Sequence, residues 1–179
     1  LEMVMDLRGM RRADQRVDRL FSSEQFKSEP NEDYTVVDDV SLRSNLHRDG
    51  DKYRLVGNIE SCLRLSCSRC VEVFDLFVNV AVDLMYLPYG ANVGDGEAEI
   101  SDEDLAIAFY RDDQIDMGLM IREQLELTVP MKPLCCDDCH GLCSVCGKNL
   151  NHEQCSCDQS WHDPRLDVLA ALRSDSRKD

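Results

Sequence analysis

Two stretches decide the fold: YRLVGNIESCLRL at residues 53–65 and FDLFVNVAVDLMY at residues 74–86. In the first, apolar side chains alternate at Tyr53, Leu55, Ile59, Leu63 and Leu65, with Gly57 in phase. In the second they fall on the even positions Phe74, Leu76, Val78, Val80, Val82, Leu84 and Tyr86. A period of two marks a strand with one face buried and the other in water. Between the runs stands Ser66-Cys67-Ser68-Arg69-Cys70, so the pair predicts a long central hairpin with two cysteines at its tip.

Upstream, Val36 to Leu46 predicts another strand, joined to the first run across Arg48-Asp49-Gly50-Asp51. Downstream, a short strand is expected around Ala106–Tyr110. Asp116 is placed to cap a helix running to about Leu127, with Met117, Met120, Ile121 and Leu125 buried and Pro130 as its stop. Asp163-Pro164 starts a second helix, with Leu166, Leu169, Ala170 and Leu172 on its apolar side. The expected class is α+β: a mainly antiparallel β-sheet with a long central hairpin, two short helices and a C-terminal Cys-rich zinc-binding segment. Residues 1–130 are expected to form the sheet domain with one helix. Residues 131–173 form the Cys-rich metal-binding segment with the C-terminal helix packed on it, and 174–179 a tail.

The chain of 179 residues suits one domain or one domain with a small appendage. Hydrophobic residues at 43% and charged residues at 31% argue against a disordered tail. No apolar run approaches the roughly 18–20 residues that span a bilayer, so no membrane partner is expected. The first twenty residues, LEMVMDLRGMRRADQRVDRL, have no basic start followed by an apolar core, which reads as no secretory signal and a cytoplasmic location. The net charge is −15, and residues 91–130 alone hold eleven acids against Arg111 and Arg122. Phosphate binding draws on cationic side chains and counterion release, so such a field favours a basic protein over a nucleic acid. The basic residues available for an RNA contact are Arg8, Arg11, Arg12, Arg16 and Arg19, or Lys132, Lys148 and Arg165.

Ten cysteines stand out, eight of them paired: Cys67-x2-Cys70, Cys135-x3-Cys139, Cys143-x2-Cys146 and Cys155-x-Cys157. A C-x2-C turn sets two thiolates on one side of a cation, and two such pairs complete the tetrahedral shell of structural zinc. Gly147, after Cys146, lets its turn close without a Cβ clash. With no secretory signal, metal in a reducing compartment is a better reading than a disulfide framework. One or two structural zinc ions are therefore expected on Cys67, Cys70, Cys135, Cys139, Cys143, Cys146, Cys155 and Cys157. Spacing leaves the grouping open. A ribbon-type site would join Cys67 and Cys70 to Cys143 and Cys146, leaving Cys135, Cys139, Cys155 and Cys157 for a second ion. A local site would instead use Cys135, Cys139, Cys143 and Cys146, with Cys67 and Cys70 paired to Cys155 and Cys157. Cys62 and Cys136 are left over, and His140 and His152 are alternate ligands. A redox C-x-x-C needs a helix N-terminus, which a hairpin tip does not supply. The acidic pairs Asp112-Asp113 and Asp137-Asp138 are better explained by a turn and a solvated loop than by a hard cation.

A series of motifs occurs in order. They are Cys67-Ser-Arg-Cys70, Ile115-Asp116, Arg122-Glu123-Gln124-Leu125 and Val129-Pro130-Met131-Lys132-Pro133-Leu134-Cys135. Cys139-His140-Gly141-Leu142-Cys143, Cys146-Gly147, Asn149-Leu150-Asn151, Cys155, Cys157 and Asp163-Pro164-Arg165 follow. Together they resemble the bacterial YceD family, the large ribosomal RNA subunit accumulation proteins, over roughly residues 15–173. Relatives of that family occur in chloroplasts, and its members differ in their cysteines; Cys136 departs from the usual pattern. The resemblance implies a factor needed for accumulation of large-subunit ribosomal RNA. It brings no catalytic residues to transfer.

No Gly-rich phosphate loop, nucleophile elbow or H-E-x-x-H helix is present, so no enzyme and no small-molecule substrate are expected. The leading expectation is a non-enzymatic, zinc-stapled module whose partner is a pre-ribosomal particle, a ribosomal protein or large-subunit ribosomal RNA. The alternatives are a stand-alone zinc-ribbon nucleic-acid binder and, further off, a redox or iron–sulfur protein. Aromatic residues at 6%, with Trp161 and Phe109 unflanked by basic clusters, weigh against the binder.

Overall fold

The computed structural model describes residues 3–10, 12–26, 34–90 and 106–158. In chain order the strands are β1 (Val4–Asp6), β2 (Asp14–Phe21), β3 (Tyr34–Val36), β4 (Val40–Asp49), β5 (Lys52–Ser66), β6 (Val73–Pro88), β7 (Ile107–Tyr110) and β8 (Gln114–Asp116). Helix α1 covers Met117–Thr128, and Ser23–Phe26 form one 3-10 turn. The chain is mostly β-sheet, with α1 the one α-helix among the described residues. The second helix expected after Asp163-Pro164 lies outside the described residues.

Two compact units are distinguished: residues 1–67 with 72–135, and residues 68–71 with 136–179. In the first, the main sheet runs β2-β4-β5-β6-β7, and β3 also pairs with β5. β5 and β6 are antiparallel from Tyr53↔Tyr86 to Ser66↔Val73, so Leu55 faces Leu84, Ile59 faces Val80 and Leu63 faces Leu76. Those odd positions of β5 are almost fully buried, as are Val40, Leu42 and Leu46 of β4. The opposite face is charged. Arg64 lies directly across from Asp75 and bonds both its carboxylate oxygens, at 2.7 and 2.9 Å. Arg54, opposite Met85, reaches diagonally to bond both carboxylate oxygens of Asp83, at 2.8 and 2.7 Å. Each pair keeps its carboxyl below the ordinary aspartate range, chiefly through the hydrogen bonds.

Three features were not foreseen from the sequence. β2 reads DQRVDRLF, and only Val17 and Phe21 of it are buried; it is held by its full register with β4. The stretch expected as one strand from Val36 is split into β3 and β4 at residues 37–39. Finally, β7 joins β6 in parallel, Met85↔Ile107 to Pro88↔Tyr110, at the edge of an otherwise antiparallel sheet.

Local chemistry accounts for the turns and the helix ends. Gly50 follows β4 with φ +63°, which a two-residue connection to β5 favours. Asp112 and Asp113 both take positive φ, and the Gln114 N–H donates to the Arg111 carbonyl at 2.8 Å, so this acidic pair is a tight turn. The Asp116 carboxylate accepts from the Leu119 N–H at 2.9 Å and caps α1. The helix buries Met117, Met120, Ile121 and Leu125. Pro130, with no N–H to donate, follows its last turn.

Candidate metal centres

The β5–β6 connection is closed by the Cys67 N–H, which donates to the Glu72 carbonyl at 2.8 Å. Within the second unit, Cys70 is followed by Val71 at φ +64°, and Cys146 by Gly147 at φ +73°. Both knuckles thus turn through the left-handed region directly after their second cysteine. The Cys143 knuckle is tightened by Gly147 N–H to the Cys143 carbonyl, 2.9 Å, and by Cys143 N–H to the Lys148 carbonyl, 2.8 Å. The Arg69 guanidinium donates to the Cys139 carbonyl at 2.9 Å, and the Leu142 N–H to the Arg69 carbonyl at 3.2 Å. Gly141, at φ +74°, fits there because a Cβ would sit 3.1 Å from the Arg69 carbonyl oxygen.

The eight paired cysteines fall into two sets. The sulfurs of Cys67, Cys70, Cys135 and Cys139 all lie within 4.8 Å of one another, and so do those of Cys143, Cys146, Cys155 and Cys157. Neither the ribbon-type grouping nor the local one expected from spacing is formed. Cys139 is instead held beside the first knuckle by the Arg69 bond. The tight 143–148 turn leaves Cys143 and Cys146 to meet the cysteines next along the chain. Cys62 is buried and Cys136 exposed, and neither belongs to a set; nor do His140 and His152.

Four tetrahedral thiolates at Zn–S bonds of 2.3 Å stand about 3.8 Å apart. The Cys143–Cys155 and Cys146–Cys155 sulfur separations, 3.4 and 3.5 Å, are close to that edge length. All eight candidate donors are soft sulfurs, with no carboxylate among them, a set that suits zinc better than a hard cation. In the first set only Cys135 is not fully buried; in the second Cys146 is exposed and Cys155 and Cys157 half-buried.

Hydrogen bonding orients the sulfurs. The Asn151 side-chain amide donates to Cys139 Sγ at 3.3 Å and to Asn149 Oδ1 at 2.9 Å, while Asn151 Oδ1 accepts from the His140 N–H at 2.8 Å. In the sequence Asn149 and Asn151 stand only as part of a motif; the signal for their role is a polar pair two residues apart beside a cysteine knuckle. In the second set, N–H groups of the knuckle bring the Cys143 thiol down to about 6, whereas its neighbours Cys155 and Cys146 push Cys157 up to about 12. Thiolates this close repel one another, a repulsion that a bound cation would relieve.

Several basic residues considered for RNA contact are engaged on the chain itself. Arg8 meets Asp113 at 3.3 Å, Arg16 meets Asp18 at 2.7 Å, and Lys148 meets Glu153 at 2.9 Å. Arg19 donates to the Val4 carbonyl at 3.4 Å. Arg11 and Arg165 lie outside the described residues.

Both cysteine sets lie inside the stretch, residues 55–173, that matches the family model described as Large ribosomal RNA subunit accumulation protein YceD. The chain belongs to the YceD family. Among its curated relatives is the Large ribosomal RNA subunit accumulation protein YCED homolog 1, chloroplastic, of Arabidopsis thaliana. That protein is 26% identical over 162 residues, covering 79% of this chain and 50% of the relative. The Zea mays protein of the same name is 27% identical over 141 residues, covering 66% and 48%. An uncharacterised Mycobacterium leprae protein is 27% identical over 97 residues, 54% of this chain and 42% of that one. The chain thus spans about half the length of the curated YceD relatives it matches. No solved structure matches it. Among the described residues, no helix is long and apolar enough to cross a membrane.

Proposed function

We propose that this YceD-family chain is a non-enzymatic factor needed for accumulation of large-subunit ribosomal RNA. In this reading it is a module held in shape by two structural zinc ions, working in the cytoplasm or an equivalent reducing compartment. It binds a pre-ribosomal particle through one of its ribosomal proteins. The observation that carries this reading is the family match over residues 55–173.

Cys67, Cys70, Cys135 and Cys139 would hold one zinc and Cys143, Cys146, Cys155 and Cys157 the other. Bound there, zinc supplies cohesion, on the order of 10–16 kcal/mol apparent per structural site. Closed four-sulfur sets favour that role, since a catalytic zinc keeps a position open for water. Partner choice follows from charge. The net −15, and the engagement of Arg8, Arg16 and Lys148 with local acids, favour a basic protein over direct phosphate contact.

The test is depletion of the protein followed by quantification of both ribosomal RNAs. A selective fall in the large-subunit species, restored by the wild-type chain and not by Cys143→Ser with Cys67→Ser, is the expected result. An unchanged ratio of the two RNAs overturns the reading.

A further inference from the structure

The groove between α1 and the β6–β7 ladder has a volume of about 600 Å³ and is used by nothing described so far. Phe109, Leu119 and Leu127 line it while 49%, 55% and 80% exposed. Single exposed apolar side chains are ordinary; three around one concavity mark a contact surface. The charged side chains of the lining are all carboxylates, Asp116 before the helix and Glu123 and Glu126 on it, with no lysine or arginine. The helix's own base, Arg122, lies instead over the Phe26 ring, 5.9 Å from its centroid. Tyr86 also lines the groove, and its buried hydroxyl has no hydrogen-bond partner among the described residues. Burial, and then Glu123 and Asp116, push that phenol's pKa up, so it stays a protonated donor.

We propose that this groove docks a basic amphipathic segment of a ribosomal protein, with apolar side chains between Phe109, Leu119 and Leu127 and lysine or arginine against Glu123 and Glu126. The partner's ribosomal origin rests on the function proposed above; its chemistry comes from the groove. An apolar wedge gives affinity there, and the acidic rim selects cations and repels a phosphate backbone.

The test uses the purified full chain and, as probe, overlapping synthetic peptides covering the large-subunit ribosomal proteins, read by fluorescence anisotropy. Two paired variants, Leu119→Asp with Leu127→Asp and Glu123→Lys with Glu126→Lys, change exposed positions. Phe77→Asp on β6, at a residue 80% exposed and away from the groove, is the control. Peptides that interleave apolar and basic residues are expected to bind the wild type and Phe77→Asp alike. Each groove pair should weaken them by about tenfold or more, and the lysine pair should abolish the salt dependence. Equal binding by wild type and both groove pairs overturns the proposal. So does a photocrosslinker at position 127 that joins, in cells, only RNA, a second copy, or residues 91–105 or 159–179 of its own chain. Ribosomal RNA in cells lacking the whole chain is a separate readout. If it is normal while the peptides bind as described, the biogenesis reading falls and the groove stands. If it drops while the groove variants keep their peptides, the groove falls and the biogenesis reading stands.

Discussion

Val71 and Gly147 occupy the same place in two knuckles: each follows the second cysteine of a C-x2-C, at φ +64° and φ +73° respectively. Glycine takes this conformation without penalty, whereas a β-branched residue meets its own backbone there. Val71 is 65% exposed, so its side chain gains little burial in return.

Val71→Gly should therefore stabilise the protein by about 1 kcal/mol, despite the added freedom of the unfolded chain. A raised urea midpoint in the zinc-loaded protein checks this. Gly147→Val should do the reverse by a similar amount, and a fall in both variants would mean that side-chain contacts of Val71 outweigh its backbone.

Zinc counting by mass spectrometry distinguishes the groupings. Wild type should carry two ions, and Cys67→Ser with Cys135→Ser should lose only one, because both residues serve the same set. Cys67→Ser with Cys143→Ser should lose both. Cys62→Ser and Cys136→Ser should keep both. A ribbon-type pairing predicts the opposite for the two double variants.

Gly57 lies opposite Ser44 in the β4–β5 register, and a Cβ there would collide with the Arg43 carbonyl oxygen. The neighbouring backbone cannot yield easily, since the Ser44 hydroxyl is buried and donates to the Val17 carbonyl at 3.0 Å. Gly57→Ala should cost about 3 kcal/mol or more, measured as a lowered midpoint of chemical unfolding.

Acid should act on the charged face of the sheet. Asp75 and Asp83 titrate below their unfolded values because Arg64 and Arg54 bond their carboxylates. A carboxyl with a depressed folded pKa stabilises above its unfolded pKa of about 3.9, and that contribution is lost as pH falls through the folded value. Wild type should therefore lose stability more steeply below about pH 4 than Arg54→Met with Arg64→Met. Carbon-detected titration should also show Asp75 returning to the ordinary range in Arg64→Met.

The β5 and β6 runs were legible because each buries one face along its whole length, which leaves an uninterrupted period of two. Helix α1 was legible from a cap and four apolar positions that agree. β2 was not, because Asp14, Arg16, Asp18 and Arg19 conceal the two side chains it buries, and pairing with β4 overrides weak local preference. Spacing singled out the eight paired cysteines that the structure gathers into two sets, but it left their grouping open. Contacts such as Arg69 to the Cys139 carbonyl, between residues 70 positions apart in the chain, carry no signal in the spacing.

The parallel register of β7 on β6 makes the length of the acidic stretch an architectural quantity. A strand that returns beside its predecessor in the same direction must first travel back along it, and such crossovers take about a dozen residues or more. Excising 91–103 would leave only 89–90 and 104–106 to make that journey, and β7 would be stripped from the sheet together with one wall of the groove. An engineer who wishes to erase the charge of that stretch should therefore recode it at constant length, with serine and asparagine for its acids.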